Sequence, residues 1–158
     1  MAAVIRQANR HDVHGLYVME RAASSSGLAH IFGDTPFPAD DVLARWRLVI
    51  DDPSVTVLID ELDSIPVGYA AFGDGWLRHF AMAPKLWGTG RSEDLHAAVI
   101  ELSTAAGSPS SDLWVLVDNL RARAFYARLG WRDTGIREPE VFAPYPCKMQ
   151  MHRVPGAK

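Results

Sequence analysis

One short segment of the chain, residues 119–131, carries residue types that could both position a ligand and donate a proton. Asn119 opens it, and an asparagine side chain can accept a free backbone N–H at the start of a helix. Gly130 stands where a helix commonly ends in a left-handed residue. Asn119, Ala122 and Tyr126 share one face of the predicted helix. The small Ala122 permits close approach there, and the phenol of Tyr126 could give up a proton; a capped helix packed on a sheet is the alternative.

A second segment has the features of an anion site. The run Trp76–Met82 is predicted to be a strand, the turn Trp87-Gly88-Thr89-Gly90-Arg91-Ser92 follows, and a helix is predicted from about Glu93. Free N–H groups of a first helical turn and the helix dipole favour phosphate oxygens, and Arg91 adds a full positive charge. The turn lacks the Gly-Lys-Ser/Thr of a Walker loop and the third glycine of a dinucleotide fingerprint. A plain strand-to-helix turn is the alternative.

Together the two segments resemble the GNAT superfamily, the acyl-CoA N-acyltransferases. The family's pyrophosphate loop reads Gln/Arg-x-x-Gly-x-Gly/Ala. Here Gly90 matches the central glycine, whereas Trp87 and Ser92 depart from the first and last positions. The family's later motif reads Asn-x-x-Ala-x-x-x-Tyr-x-x-x-Gly-Phe/Tyr, and its places are taken in register by Asn119, Ala122, Tyr126, Gly130 and Trp131. The resemblance extends over essentially the whole chain.

The resemblance implies an α/β fold with a mixed sheet of six or seven strands and about four helices on both faces. The N-terminal part of the sheet is expected to be antiparallel. The parallel fourth and fifth strands, Trp76–Met82 and Leu113–Val117, are expected to splay apart. Residues 1–154 are expected to form a single domain, and residues 155–158 a frayed tail. Turn-forming residues predict that the first helix ends before Ser24 and that a loop runs from there to Pro38.

The resemblance also implies which residues hold the cosubstrate, acetyl-CoA. Its pantetheine arm is expected to lie between the splayed strands, to pair with the open edge of the fourth strand as an added strand does, and to contact Asn119 on the other side. A backbone N–H near Phe80 or Ala81 would hold the thioester carbonyl. The diphosphate is expected on the N–H groups of the glycine turn. The expected cofactor-binding residues are Phe80, Ala81, Met82, Trp87, Gly88, Thr89, Gly90, Arg91, Ser92, Asn119, Ala122 and Phe125.

Acyl transfer to an amine needs a neutral amine and a proton for the departing thiolate. Tyr126 is the expected general acid, since a phenol of unperturbed pKa about 10 is protonated at neutral pH; a packing aromatic is its alternative. The base is open. On the predicted register Trp76, Arg78 and Phe80 share the active-site face and His79 lies on the other, unless a one-residue bulge reverses this. His79 is a candidate catalytic residue. The alternatives are that His79 is a buried, hydrogen-bonded histidine and that the reaction uses no base.

Two loops, residues 24–37 and 138–145, are expected to lie over the far side of the cleft and to choose the acceptor. The candidate substrate residues are Arg78, His30, Asp34 and Tyr145. Arg78 suits a carboxylate or phosphate on the acceptor, or an ion pair with Asp74. The expected acceptor is the primary amine of a small molecule. The alternatives are a protein N-terminus or lysine, and a GNAT-like module that binds CoA or a partner with little turnover.

Composition narrows the function classes. The formal net charge is −3 with acids and bases interspersed, which argues against a nucleic-acid partner. No apolar run approaches the roughly 20 residues that span a bilayer, so no membrane partner is expected. The single Cys147 fits a reducing compartment, and a cytoplasmic location is expected. No metal is expected to take part, and a homodimer is left open.

Overall fold

The computed structural model describes residues 2–156. Of the predicted domain, residues 1–154, the structure describes residues 2–154. Of the predicted tail, Pro155 and Gly156 form a turn, whereas Ala157 and Lys158 lie outside the described residues. Among residues 2–156, no helix has both the length and the apolar character needed to cross a bilayer.

A mixed sheet of seven strands runs through the described residues. The strands are β1 Ala3–Gln7, β2 Thr56–Leu62, β3 Ile65–Gly73, β4 Trp76–Met82, β5 Asp112–Leu116, β6 Arg132–Pro139 and β7 Cys147–His152. Their order is β1-β2-β3-β4-β5-β7-β6. Only the β4–β5 pair is parallel within this part of the chain, and the other neighbours are antiparallel. The predicted α/β class and sheet arrangement are confirmed.

Five α-helices are present in the described residues, one more than expected. They are α1 Val13–Gly27, α2 Ala29–Phe32, α3 Ala39–Asp51, α4 Arg91–Ala105 and α5 Leu120–Arg128. The predicted end of the first helix before Ser24 is wrong, because α1 continues to Gly27 and the N–H of Leu28 still bonds to the Ser24 carbonyl at 2.9 Å. The short α2 also interrupts the predicted loop. Tertiary packing overrides weak local propensity here, since Gly27 packs against the Trp87 ring.

The gap between β4 and β5 opens early. The two strands pair only at Trp76–Asp112 and Leu77–Leu113, and their carboxyl ends then diverge. Main-chain groups of alternate residues in a strand point to opposite edges. Because the N–H of Ala83 bonds to the Val67 carbonyl on β3 at 2.7 Å, the main-chain groups of Met82 point into the gap.

A bulge in β4 decides which side chains share a face. The pairing with β3 passes from His79 directly to Leu77, so Arg78 has no partner in the ladder. Phe80 and Leu77 therefore face the core beneath α4 and α5, whereas His79 faces the core beneath α1 and α3. The prediction that Trp76, Arg78 and Phe80 share one face is wrong, because a bulge shifts the alternation by one residue.

Candidate active site

The residues of α5 lie across the gap from the open edge of β4. Asn119 caps the helix, as predicted, with its side-chain oxygen accepting the N–H of Ala122 at 3.3 Å. One face of α5 then presents Tyr126, whose ring lies 6.3 Å from that of Phe80 in an edge-to-face contact. Phe125 stacks on Phe80 at 5.6 Å. The helix after β5 and the edge of β4 thus face each other across the gap between the diverging strands, which is called the cleft below.

Tyr126 is a buried phenol in a largely aromatic setting. Burial raises its pKa above the ordinary value of a tyrosine, and the nearby Arg121 opposes the shift only in part. Its hydroxyl makes no hydrogen bond to residues 2–156. The phenol therefore keeps its proton at neutral pH and has no protein acceptor for it in the described structure, which is the state that a general acid requires.

The glycine turn after β4 offers main-chain donors. Gly88 and Gly90 have φ angles of 77° and 93°, a region that glycine adopts without strain. The N–H groups of Trp87 and Thr89 are taken up inside the turn by the carbonyls of Pro84 and Leu86. Those of the two glycines and of the first residues of α4 have no backbone partner within residues 2–156. Only some N–H groups of this segment, those of the two glycines and of the first residues of α4, are therefore available to an anion.

Arg91 is held by the sheet and not by the turn. Its guanidinium donates two hydrogen bonds to Asp60, a carboxylate of β2 with no exposed surface, and a weaker one to Asp94 at 3.3 Å. Burial raises the pKa of Asp60, although Arg91 opposes the shift. Arg91 thus anchors the start of α4, and its expected contribution to anion binding is reduced to its main-chain N–H.

The acids of the first turn of α4 are neutralised by arginines. Asp94 contacts Arg91, and Glu93 lies 3.7 Å from the guanidinium of Arg128 on α5. Acids are also favourable at a helix N-terminus because of its partial positive charge. The repulsion expected between these two carboxylates and a phosphate is therefore weakened.

The two loops predicted to cover the cleft meet at its mouth. The ring nitrogen Nε2 of His30 on α2 lies 2.8 Å from the carbonyl oxygen of Asp118, just before α5. Phe32 of α2 contacts Phe142 of the β6–β7 loop, with ring centres 6.1 Å apart. Asp34 follows α2 and Tyr145 lies in the β6–β7 loop, where its N–H donates to the Phe142 carbonyl at 2.7 Å; both residues are exposed. Of these predicted substrate residues, His30 is the one whose ring lies within hydrogen-bond distance of the segment before α5.

The comparison with protein families is decisive. The family model described as the acetyltransferase (GNAT) family matches residues 27–131. The chain belongs to the GNAT acetyltransferase family. The match includes β4, the glycine turn, α4 and α5, which are the elements that enclose the cleft. Among curated protein sequences, none is significantly similar to this GNAT chain.

Solved structures share the fold of this GNAT chain at low sequence identity. A GCN5-related N-acetyltransferase from Rhodopseudomonas palustris is 18% identical, with a TM-score of 0.78 over 97% of this chain and 96% of that one. The apo form of YjaB from Escherichia coli is 14% identical, with a TM-score of 0.75 over 98% and 99%. The PaiA N-acetyltransferase from Thermoplasma acidophilum, solved in complex with coenzyme A, is 15% identical, with a TM-score of 0.70 over 95% and 98%.

His79 of this GNAT chain lies on the face opposite Phe80. Its ring is 5.2 Å from that of Trp46 on α3. Burial, together with the nearby cations Arg45 and Arg78, lowers its pKa to about 3. A neutral imidazole of such low pKa is a weak proton acceptor. Arg78 itself lies 3.6 Å from Asp74 in the hairpin turn, the ion pair that the sequence left as its alternative.

Sequence reasoning missed a cluster on that face of the sheet. Glu20 of α1 and Arg45 of α3 are hydrogen-bonded, and the Arg45 guanidinium lies 5.3 Å from the Trp46 ring. Tyr69 of β3 meets the same ring edge-on at 5.0 Å. Burial raises the pKa of Glu20 and of Tyr69. In the sequence each of these residues is compatible with an ordinary core or surface position. Because they come from separate elements, no sequence spacing predicts that they form one cluster.

Proposed function

We propose that the protein is an acetyl-CoA-dependent N-acetyltransferase that acts on the primary amine of a small molecule. One observation carries the proposal: a protonated, unpartnered Tyr126 faces a splayed strand edge that ends in a glycine turn with free N–H groups. The similarly folded PaiA enzyme was solved in complex with coenzyme A, which supports coenzyme binding by this fold. A thioester placed on the β4 edge would have its sulfur on the side of α5.

The proposed reaction exchanges one bond for another. The amine nitrogen attacks the thioester carbonyl carbon, so that a C–N bond forms and the C–S bond then breaks. The departing sulfur takes the phenolic proton of Tyr126, and the new amide nitrogen loses one proton to solvent, which later restores the phenol. Of the two main-chain N–H groups expected to hold the carbonyl oxygen, the strand alternation favours Phe80, because Ala81 directs its main-chain groups to β3.

We assign no base role to His79. Its imidazole faces α3 and not the Phe80 side of β4, and its pKa of about 3 leaves it little affinity for a proton. The amine would therefore enter in its neutral form. The cluster of Glu20, Arg45, Trp46 and Tyr69 lies on the same face as His79, and the rings of Trp46 and Tyr69 are buried in the core beneath α1 and α3.

Thiol release from acetyl-CoA tests the proposal. The full chain is incubated with acetyl-CoA and a panel of small primary amines, and free thiol and acetylated amine are measured together. We expect equal amounts of both products with at least one amine. A thermal shift with coenzyme A but no product from any amine, peptide N-terminus or lysine peptide would instead identify a binding module.

A further inference from the structure

The side chain of Trp87 closes the open edge of β4. Its indole Nε1–H donates to the carbonyl oxygen of Met82 at 2.9 Å. That carbonyl faces the gap between β4 and β5, because the neighbouring Ala83 bonds to β3. An exposed strand edge leaves main-chain groups without partners. In the ligand-free cleft the indole satisfies an acceptor that an added strand would otherwise use.

Arg121 lies on the other side of the same indole. Its guanidinium carbon is 3.5 Å from the centre of the Trp87 ring, a cation–π contact that bridges the gap from α5 to the glycine turn. Gly27 at the end of α1 completes the contact, since a Cβ there would lie 3.4 Å from the indole and 3.5 Å from Arg121. Residues from three elements therefore meet at the mouth of the cleft.

Arg121 differs from the other arginines near the cleft. Arg91 is bound by Asp60, Arg128 lies near Glu93, and Arg123 donates to the Val117 carbonyl. Within residues 2–156, Arg121 has no carboxylate or carbonyl partner, and its side chain is exposed. Its charge is therefore available to an anion placed at the mouth of the cleft.

We propose that Trp87 and Arg121 form an exchangeable closure of the coenzyme cleft, with Arg121 as the side-chain cation for the coenzyme's phosphates. A pantetheine amide takes the Met82 carbonyl from the indole, and the diphosphate takes the guanidinium from the ring face. This inference rests on the proposed coenzyme site. The exchange is favourable for Arg121, because a charge-assisted bond to phosphate is stronger than an exposed cation–π contact.

Two variants and two ligands separate the parts of the closure. Trp87→Phe removes the N–H and keeps a ring for Arg121, so binding of both coenzyme A and phosphate-free pantetheine should tighten about threefold to tenfold. Arg121→Gln should weaken coenzyme A about tenfold and leave pantetheine unchanged. Calorimetry on the full chain measures each affinity. Arg47→Gln, at an exposed arginine of α3, is the matched control.

The outcomes distinguish the two proposals. Absence of coenzyme A binding to the wild type would overturn the proposed function itself. Binding by the wild type with unchanged affinity in both variants would overturn the closure alone, as would weaker pantetheine binding by Trp87→Phe or by Arg121→Gln. Trp87→Leu, which also lacks the N–H, gives a second reading if Trp87→Phe does not fold, and its affinity for pantetheine should also rise.

Discussion

Tyr126 combines a buried ring, a raised pKa and a hydroxyl that makes no hydrogen bond to residues 2–156. Its ring packs against Phe80 and Trp131, which keeps the phenol beside the β4 edge. At the residue scale, the position of this one oxygen is the strongest link between the fold and acyl transfer.

Removing that oxygen should lower turnover and leave the fold intact. We expect Tyr126→Phe to reduce kcat at least about tenfold with little change in the KM for acetyl-CoA, because only the proton for the departing thiolate is lost. Steady-state thiol release measures both constants. Tyr17→Phe, which removes a hydroxyl from an exposed part of α1, is the control. Near-wild-type kcat in Tyr126→Phe would exclude the phenol from the mechanism.

At the scale of secondary-structure elements, the ability of the glycine turn to bind an anion depends on α4, the helix that follows it. Gly90 is the N-cap residue immediately before α4, with a φ of 93°. Gly107, at the other end of α4, has a similar φ of 81° but lies away from the turn. Any other residue would be strained at both positions, but only Gly90 lies in the glycine turn.

Aspartate substitutions at these two glycines should separate strain from ligand binding. Gly90→Asp should weaken coenzyme A binding at least about tenfold, or 1.4 kcal/mol, because it adds strain and a negative charge beside the phosphate donors. Gly107→Asp should lower the melting temperature comparably and leave coenzyme affinity unchanged. Calorimetry and thermal unfolding measure the two effects. Equal affinities in the two variants would mean that the phosphates bind elsewhere.

Features of the fold that depend on neighbouring residues could be predicted from the sequence. Features that depend on contacts between distant residues could not. Asn119 as a cap and Trp76–Met82 as a strand follow from neighbouring residues, and both are confirmed. The bulge at Arg78 and the short α2 depend on packing that no local pattern encodes. The pairs Arg91–Asp60 and Arg45–Glu20 join residues 31 and 25 positions apart, so only the folded chain reveals them.

At the scale of the whole molecule, two buried histidines couple folding to pH. Burial lowers the pKa of His96 to about 4 and that of His79 to about 3. The Nε2 atom of His96 accepts the indole N–H of Trp131 at 2.9 Å, so protonation there would remove the acceptor. Both imidazoles are neutral in the folded state and would bind protons more readily after unfolding.

Stability should therefore fall as the solution becomes acidic. The histidine contribution is complete above the unfolded pKa of about 6.5 and is lost as the pH falls from there towards the folded pKa, about 4 for His96 and about 3 for His79. The cost is on the order of 1–2 kcal/mol per histidine at pH 5. Urea unfolding at pH 7 and pH 5 measures it. His96→Gln should show a smaller difference between the two pH values, whereas an unchanged difference would exclude His96 as a source of the loss.

The ion pair between Asp60 and Arg91 has a consequence for how a ligand is received. It ties the first residue of α4 to the interior of the sheet, so the donors of the glycine turn are already oriented before anything binds. A cradle that is rigid in advance loses little conformational entropy on association. Recognition at the turn would then be rapid and nearly rigid, and the adjustment that the cosubstrate requires would be confined to side chains at the entrance.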